Sequence, residues 1–247
     1  MLLRVLCIKT LCDMNHISYI CTMENECIHC EFKNNAAKCI DECGLIKLSE
    51  NHSSANFDKG QMIIKQGMYS THIVYLKSGL AKIHMMGPSS ENIIRIVKGP
   101  TYLGNSAILD QTKHQYSITA ISSSTVCFIE MSTFKELIKS NTIFAYELIS
   151  ELCKSELESY NRCINRSQKQ SRGNLADVLL DFSIRIFESE KFSLPLSQSE
   201  LGSMINSSRE SISRILSEFA KDGIITLDGK KIEIINKKSL ELISHNG

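Results

Sequence analysis

Residues 196–225 read LSQSELGSMINSSRESISRILSEFAKDGII, and the punctuation of this stretch decides the fold of the C-terminal third. Ser197 and Glu200 stand three apart, the spacing of a capping box, and predict a short helix over Gln198–Ile205. Asn206 follows where the chain has to turn, and asparagine tolerates the left-handed backbone region. Ser207 and Glu210 repeat the box and predict a second helix over 208–222, closed by Gly223. Ile205, Ile212, Ile215, Leu216 and Phe219 supply a buried stripe. The opposite face carries Arg209, Glu210, Ser213 and Arg214, with Ser208 at its start.

Working outward, 224–227 and 230–234 alternate as two strands around Asp228-Gly229 and predict a hairpin. Upstream, 174–187 reads as an amphipathic helix with Leu175, Val178, Leu179, Phe182 and Ile186 on one side, and 192–196 as a short extended segment. Helix, helix-turn-helix and hairpin make a winged helix. Its second helix exposes arginine and glutamate at its N-terminal end, the geometry that reads a major groove. Arginine pairs with guanine O6/N7 and glutamate accepts from cytosine N4. An Arg-Glu pair alone is an ordinary solvated face; the caps, the short first helix and the hairpin favour double-stranded DNA. Lys230 and Lys231 on the wing, and Arg172, add local positive charge.

Residues 44–140 read as β structure, with short Ile/Val-rich runs broken by glycine turns, which predicts an antiparallel sandwich or barrel. A short helix follows over 133–138. From Phe144 to about Gln168 there is neither Pro nor Gly, which predicts one long helix. On it Ile149, Leu152, Glu156, Ser159, Cys163 and Arg166 fall at heptad spacing, a dimerisation seam. The competing set Leu148, Leu152, Leu157, Tyr160 and Ile164 would pack on the chain's own barrel instead. Glu156 on the seam would meet its own copy, so the dimer is expected to be marginal and open to a signal. A polar hinge spans 168–173. The fold class is therefore α+β: a Cys-rich extension over 1–43, a jelly-roll-like β-roll sensor over 44–140, a dimerisation helix over 141–168, and a winged helix-turn-helix over 169–247.

Composition limits function more weakly. The 247 residues are 43% hydrophobic, which excludes long disorder, and Lys+Arg 28 against Asp+Glu 27 gives no electrostatic argument for or against nucleic acid. Residues 169–247 hold eleven basic and eleven acidic side chains, so affinity has to come from local basic residues and dimeric avidity. No apolar stretch reaches the ~18 residues of a membrane span. Met14 is an alternative start to Met1, which would leave Cys7 and Cys12 outside the chain. A cytoplasmic location is expected, where clustered thiols serve metal or redox chemistry rather than disulfides. Seven of the ten cysteines precede residue 44, and Cys27-x2-Cys30 with Cys39-x3-Cys43 forms a four-thiolate set suited to an iron–sulfur cluster or zinc. His29 could replace one thiolate on zinc, and Cys21 is a substitute ligand. No metalloprotease helix, phosphate-cradling glycine loop or nucleophile elbow is present, so no catalysis is expected.

The run Ser208-Arg209-Glu210-Ser211-Ile212-Ser213-Arg214-Ile215-Leu216, ending in Lys221-Asp222-Gly223-Ile224-Ile225, resembles the signature of the Crp/Fnr family of bacterial transcription regulators. The runs from Phe57 to Gly67 and from Val74 to Gly79 resemble the start of that family's cyclic-nucleotide-binding-type β-roll. The likeness covers about four-fifths of the chain. It implies a homodimer on a near-palindromic operator, RNA polymerase as a partner, and Arg209, Glu210 and Arg214 as base readers with Ser213 nearby. Asn206 stands where the family usually has glycine. In members that bind cyclic nucleotides a Glu holds the ribose and an Arg-Ser pair the phosphate; here Asn105 and Tyr116 stand at the Glu and Arg positions, so that ligand is not expected. Some Fnr-type members carry an oxygen-sensing cluster on N-terminal cysteines plus one in the roll, and Cys127 stands at the roll position. The resemblance thus implies a [4Fe-4S] cluster on a subset of Cys27, Cys30, Cys39, Cys43 and Cys127, with zinc or no metal as the alternatives. The rivals from other classes are a redox or metal-storage enzyme and a nucleotide-gated module that does not bind DNA.

Overall fold

The computed structural model describes residues 26–104 and 113–247. Expectations for Met14, Cys7, Cys12, Cys21 and Asn105 fall outside them. Two short helices, α1 (Asn35–Lys38) and α2 (Glu42–Glu50), lead into eight strands: β1 (His52–Phe57), β2 (Met62–Ile64), β3 (His72–Ser78), β4 (Leu80–Met86), β5 (Glu91–Lys98), β6 (Thr101–Leu103), β7 (Ser117–Ala120) and β8 (Ser124–Glu130). They form two four-stranded antiparallel sheets, β1-β8-β3-β6 and β2-β7-β4-β5. Val74, Leu76, Ile83, Val97, Ile118 and Val126 fill the space between the sheets. The roll follows the glycine-punctuated runs, except that 44–50, expected as β structure, is helical in α2, and that β6 and β1 are added strands. β1 reads HSSANF, too polar to show as a strand in a hydrophobicity pattern, and it pairs along its whole length with β8.

β3 is buried on both faces because helices cover the outside of its sheet. Ile73 and Tyr75 point outward into an aromatic core with Tyr102, Phe134 and Phe144. There Tyr75 and Tyr102 lie 4.6 Å apart, and Phe134 and Phe144 meet edge to face at 5.6 Å. Phe134 comes from α3 (Met131–Ser140) and Phe144 from α4 (Thr142–Gln168), the long helix. Asn141 caps α4 by accepting from the Phe144 amide at 2.9 Å.

Only Lys169 and Gln170 separate α4 from α5 (Ser171–Asp181), so the hinge is shorter than the sequence implies. α5 begins three residues earlier than expected, and Gly173, read as part of the hinge, lies inside it against Gly247. The helix then widens into a π turn over Phe182–Ile186. β9 (Lys191–Ser193), α6 (Gln198–Ile205), α7 (Arg209–Lys221), β10 (Ile225–Asp228), β11 (Lys231–Ile234) and α8 (Lys237–Asn246) complete the chain. β9 joins the hairpin to make a three-stranded sheet. Asp228 pairs with Lys231, so the turn is Gly229-Lys230, one residue later than expected, with Gly229 at φ +59°. A positive φ at the first loop position alone matches a type II′ turn. α8 was not predicted; Leu240 ties it to the core that α5, α6 and α7 share.

The turn between α6 and α7 leaves no room for a side chain on α6. A Cβ at Gly202 would strike the Ser207 carbonyl, which the Ser207 amide bond to Gly202 draws close (2.9 Å). Gly202→Ala should lower unfolding stability by about 1–3 kcal/mol, read from the urea midpoint. An unchanged midpoint would show that the turn can open at no cost.

Candidate functional site

Each cap in the helix-turn-helix does a definable job. Ser197 accepts from the Glu200 amide at 3.2 Å, and Glu200 accepts from the Ser197 amide at 2.8 Å, a complete capping box. Asn206 takes φ 57° and ψ 50°, the left-handed conformation its position requires. The second cap differs from expectation. Ser208, not Ser207, caps α7 and accepts from the Ser211 amide at 3.1 Å. The hydroxyl that the capping-box spacing pointed to sits one residue too early, because Ser207 is still closing the turn onto Gly202. Glu210 therefore lies in the first turn, where its own backbone amide and the Ser208 hydroxyl hold its carboxyl below the ordinary value. It stays an ionised acceptor at neutral pH.

Ile212, Ile215, Leu216 and Phe219 are buried. Arg209, Glu210 and Arg214 are exposed, and Ser213 is half-buried beside them. Arg214 meets only Glu218, at 3.3 Å, four residues on. An exposed pair of that kind is worth about 0.3–0.5 kcal/mol, so the guanidinium is free to leave. Lys230 and Lys231 project from the wing, both exposed. Arg172 does not join this surface. Its guanidinium pairs with Glu218 at 2.8 Å and Asp222 at 3.1 Å and lies over the Phe219 ring, so it clamps α5 to α7.

The cysteine-bearing segment lies against the roll and the long helix. The Tyr75 hydroxyl donates to the Phe32 carbonyl and accepts from the Asn34 amide, both at 2.8 Å. The Asn34 side chain donates to both Glu151 oxygens, at 3.1 and 2.9 Å, and Asn141 donates to the Cys39 carbonyl at 3.0 Å. Cys27 and Cys127 both pack on the aromatic core. The Cys27 sulfur lies 3.9 Å from His52 Nδ1; burial pushes this thiol up, but His52 and Ser49 outweigh burial and hold it below its ordinary value. Burial raises the Cys127 thiol. Cys39 donates to the Asn35 carbonyl at 3.3 Å, and Cys43 is disulfide-bonded. The donor types suit a cluster, but among the described residues no three His, Cys, Asp or Glu side chains converge on a point that could hold an ion. In this arrangement the expected set Cys27, Cys30, Cys39, Cys43 and Cys127 does not fit a four-thiolate cage. The sequence reading also missed Asn34, Tyr75 and Glu151, since a single asparagine in a loop carries no periodic signal.

Inside the roll, Tyr116 gives its hydroxyl to the Gly104 amide as an acceptor at 3.0 Å. Arg95 of β5 donates to Ser155 of α4 at 2.5 Å. A cavity of about 130 Å³ lies between β5, β6 and α4, lined by Arg95, Thr101, Tyr102, Glu151, Ser155 and Arg185 among others.

α4 buries only Phe144 and Leu148. The expected seam residues Ile149, Leu152, Glu156, Ser159 and Cys163 are all exposed, whereas Arg166 turns inward. Of the competing set only Leu148 packs on the barrel; Leu152, Leu157, Tyr160 and Ile164 are exposed, so that reading fails. Among the exposed apolar side chains of α4, Tyr146, Ile149, Leu157, Tyr160 and Ile164 run with Cys153 as one stripe, which shares Ile149 with the heptad set and otherwise lies beside it. Among the described residues no helix is long and apolar enough to cross a membrane.

Residues 55–141 match the cyclic nucleotide-binding domain model, and 173–243 the Crp-like helix-turn-helix domain model. The chain is 23% identical to the transcriptional activator protein anr of Pseudomonas aeruginosa, over 76% of this chain and 78% of that one. It is 24% identical to the anaerobic regulatory protein of Haemophilus influenzae, over 71% and 70%. A crystal structure of a Crp/Fnr-family transcriptional regulator from Eubacterium rectale superposes with a TM-score of 0.70 at 18% identity, over 86% of this chain and 99% of that one, and shows the shared fold.

Proposed function

The chain belongs to the Crp/Fnr family of DNA-binding transcription regulators, and from that premise we propose that it reads a near-palindromic operator as a homodimer under redox control. It is a regulator and not an enzyme, as are the proteins it resembles. The observation that carries the DNA reading is α7: a capped helix whose N-terminal half presents Arg209, Glu210 and Arg214 to solvent while its other face is buried. In this reading Arg209 and Arg214 address guanines, Glu210 addresses cytosine, Ser213 sits beside them, and Ser208, Lys230 and Lys231 meet phosphates. RNA polymerase is the further partner, and the location is cytoplasmic, where the DNA is. On that assignment, Arg214→Ala loses about 1–3 kcal/mol per half-site and relaxes base choice there. Fluorescence anisotropy would compare a duplex selected from a random pool by the wild-type protein with a random duplex. Wild-type affinity and selectivity in the variant would contradict the assignment.

The exposed apolar stripe on α4 supports the dimer. A helix that buries two large apolar side chains and exposes seven suits one half of a coiled-coil pair. We place the seam a fraction of a turn from the heptad set, on Ile149, Cys153, Leu157, Tyr160 and Ile164, a stripe that is exposed and largely apolar. Glu156 then stands at the margin, where the Tyr160 hydroxyl donates to it at 2.6 Å. Leu157→Glu should sediment as a monomer and Ser159→Glu as a dimer in analytical ultracentrifugation. The reverse result would restore the heptad seam.

The redox reading rests on placement: the segment holding Cys27, Cys30 and Cys39 is bonded to α4 through Asn34 and Glu151. The word anaerobic in the name of the Haemophilus relative supports it. Because the sulfurs are not gathered, the proposal attaches to the segment, and a [4Fe-4S] cluster, zinc or thiols alone are its possible agents. A cyclic nucleotide is not proposed, given Tyr116 at the position where the resemblance expects an arginine. Affinity for the selected duplex should differ between anaerobically purified and air-exposed protein, and Cys27→Ser should remove the difference. The absorption spectrum and metal content of the anaerobic sample assign the agent. Equal affinity in both states would end the redox reading.

A further inference from the structure

β5 is an edge strand, hydrogen-bonded to β4 on one side only. Its free edge would leave a row of amides and carbonyls without partners. Side chains from the C-terminal half and the end of α4 take them instead. Ser203 of α6 accepts from the Ile93 amide at 3.3 Å and donates to the Glu91 carbonyl at 3.0 Å. Arg166 donates to the carbonyls of Ile93 and Ile94, both at 3.2 Å. Arg185, in the π turn, donates from Nη2 to the Ile96 carbonyl at 3.2 Å while Nη2 and Nε also donate to Asp181 at 2.8 and 2.7 Å. Ion pairs flank this row: Lys82 of β4 with Glu200 of α6 at 2.6 Å, and Lys98 with Glu188 at 2.7 Å. Beneath it, Ile93 and Ile96 are buried in the same core as Leu201 and Met204 of α6.

The covalent link between the halves is two residues long, too little to fix an orientation by itself. A dimer reading two half-sites needs its recognition helices about 34–36 Å apart. We propose that the free edge of β5 is a docking rail, on which the first helix of the helix-turn-helix is held by Ser203 and Lys82–Glu200, and that the docked arrangement is the one competent for the full operator. The proposal rests on the operator reading above. Docking leaves Arg209, Glu210, Arg214, Lys230 and Lys231 exposed, so it hides none of the reading surface. Released from the rail, each α7 would still recognise a half-site, but the two would no longer be presented in register, and avidity would fall.

The test is the double variant Lys82→Ala/Ser203→Ala in the full chain. Neither residue belongs to the reading surface, and Glu200 keeps its capping role. The single variant Ser203→Ala, which keeps the ion pair, serves should the double fold poorly. Hydrogen exchange at the Ile93 amide and small-angle scattering read docking without DNA. Anisotropy with the wild-type-selected palindromic duplex, and with a duplex holding one half of it, reads the consequence. Expected are faster Ile93 exchange, a larger maximum dimension, about tenfold weaker binding to the palindrome, and half-site binding within twofold of wild type. Unchanged exchange and scattering would overturn the rail. Tighter binding to the palindrome would overturn its competence and make docking inhibitory. If the wild-type protein selects no duplex at all, the operator reading fails, while exchange and scattering still decide whether the rail exists.

Discussion

The unpaired edge of β5 is the constraint on which the arrangement of the two halves depends. A fully buried backbone group without a partner costs about 1–3 kcal/mol, and this edge presents five groups, four of them part-buried, that are answered by Ser203, Arg166 and Arg185. Undocking would hand those groups back to water at small cost, but it would also uncover Ile93 and Ile96, at roughly 2 kcal/mol each. The polar contacts therefore set where α6 sits and hold it there, and the isoleucines add to the strength of docking. Burial alone pushes the Glu200 carboxyl up, but Lys82 and Ser197 outweigh it and take it down to about 2. The same carboxylate caps α6 and anchors it to the roll, so the start of the helix-turn-helix and the docking contact cannot be altered independently at that residue.

α4 reverses the usual arrangement of an amphipathic helix. Its polar side chains Glu151, Ser155 and Arg166 lie along the face toward their own chain, bonded to Asn34, Arg95 and the β5 carbonyls. Its apolar side chains Tyr146, Ile149, Leu157, Tyr160 and Ile164 face solvent, each more than half exposed. A helix built in this way is stable only if something covers the outward stripe. On the proposed dimer reading, a second copy presents the same stripe and satisfies both at once. One helix thus connects the cysteine segment at one end, the roll interior in the middle and the β5 edge at the other, so a shift at Asn34 has a mechanical route to the edge that holds α6.

What the sequence disclosed and what it hid divide by the range of the interaction. Local signals were legible: the Ser197–Glu200 box, the left-handed Asn206, the closing Gly223 and the stripe from Ile205 to Phe219 all involve neighbours within one or two turns. The second cap slipped by one residue because Ser207 and Ser208 are both competent, and the choice is made by how closely the backbone approaches Gly202. The hairpin turn slipped likewise, since β9 pairs with β11 and fixes a register that the hairpin's own residues leave open. On α4 the heptad spacing marks five exposed residues, Ile149, Leu152, Glu156, Ser159 and Cys163, but does not reveal that Arg166, the sixth, bonds to β5. Contacts between distant segments, such as Asn34 with Glu151 or Ser203 with β5, involve single polar residues and leave no pattern to read.

The near-zero net charge bears on how such a protein must work. Each phosphate neutralised contributes a counterion-release term of about 0.9 to the slope of log affinity against log salt, and one C-terminal half offers few free cations once Arg172 is clamped between Glu218 and Asp222. Nonspecific attraction is therefore weak, and a single half-site is a poor target. A strongly basic domain could tolerate loose tethering, because charge would hold it near the duplex while it searched for register. On the proposed operator reading, the second half-site has to be met at the effective concentration that rigid geometry provides. The nearer the total charge is to zero, the more of the binding free energy must come from presenting two copies of α7 at the correct spacing, and the more the contacts that orient them govern function.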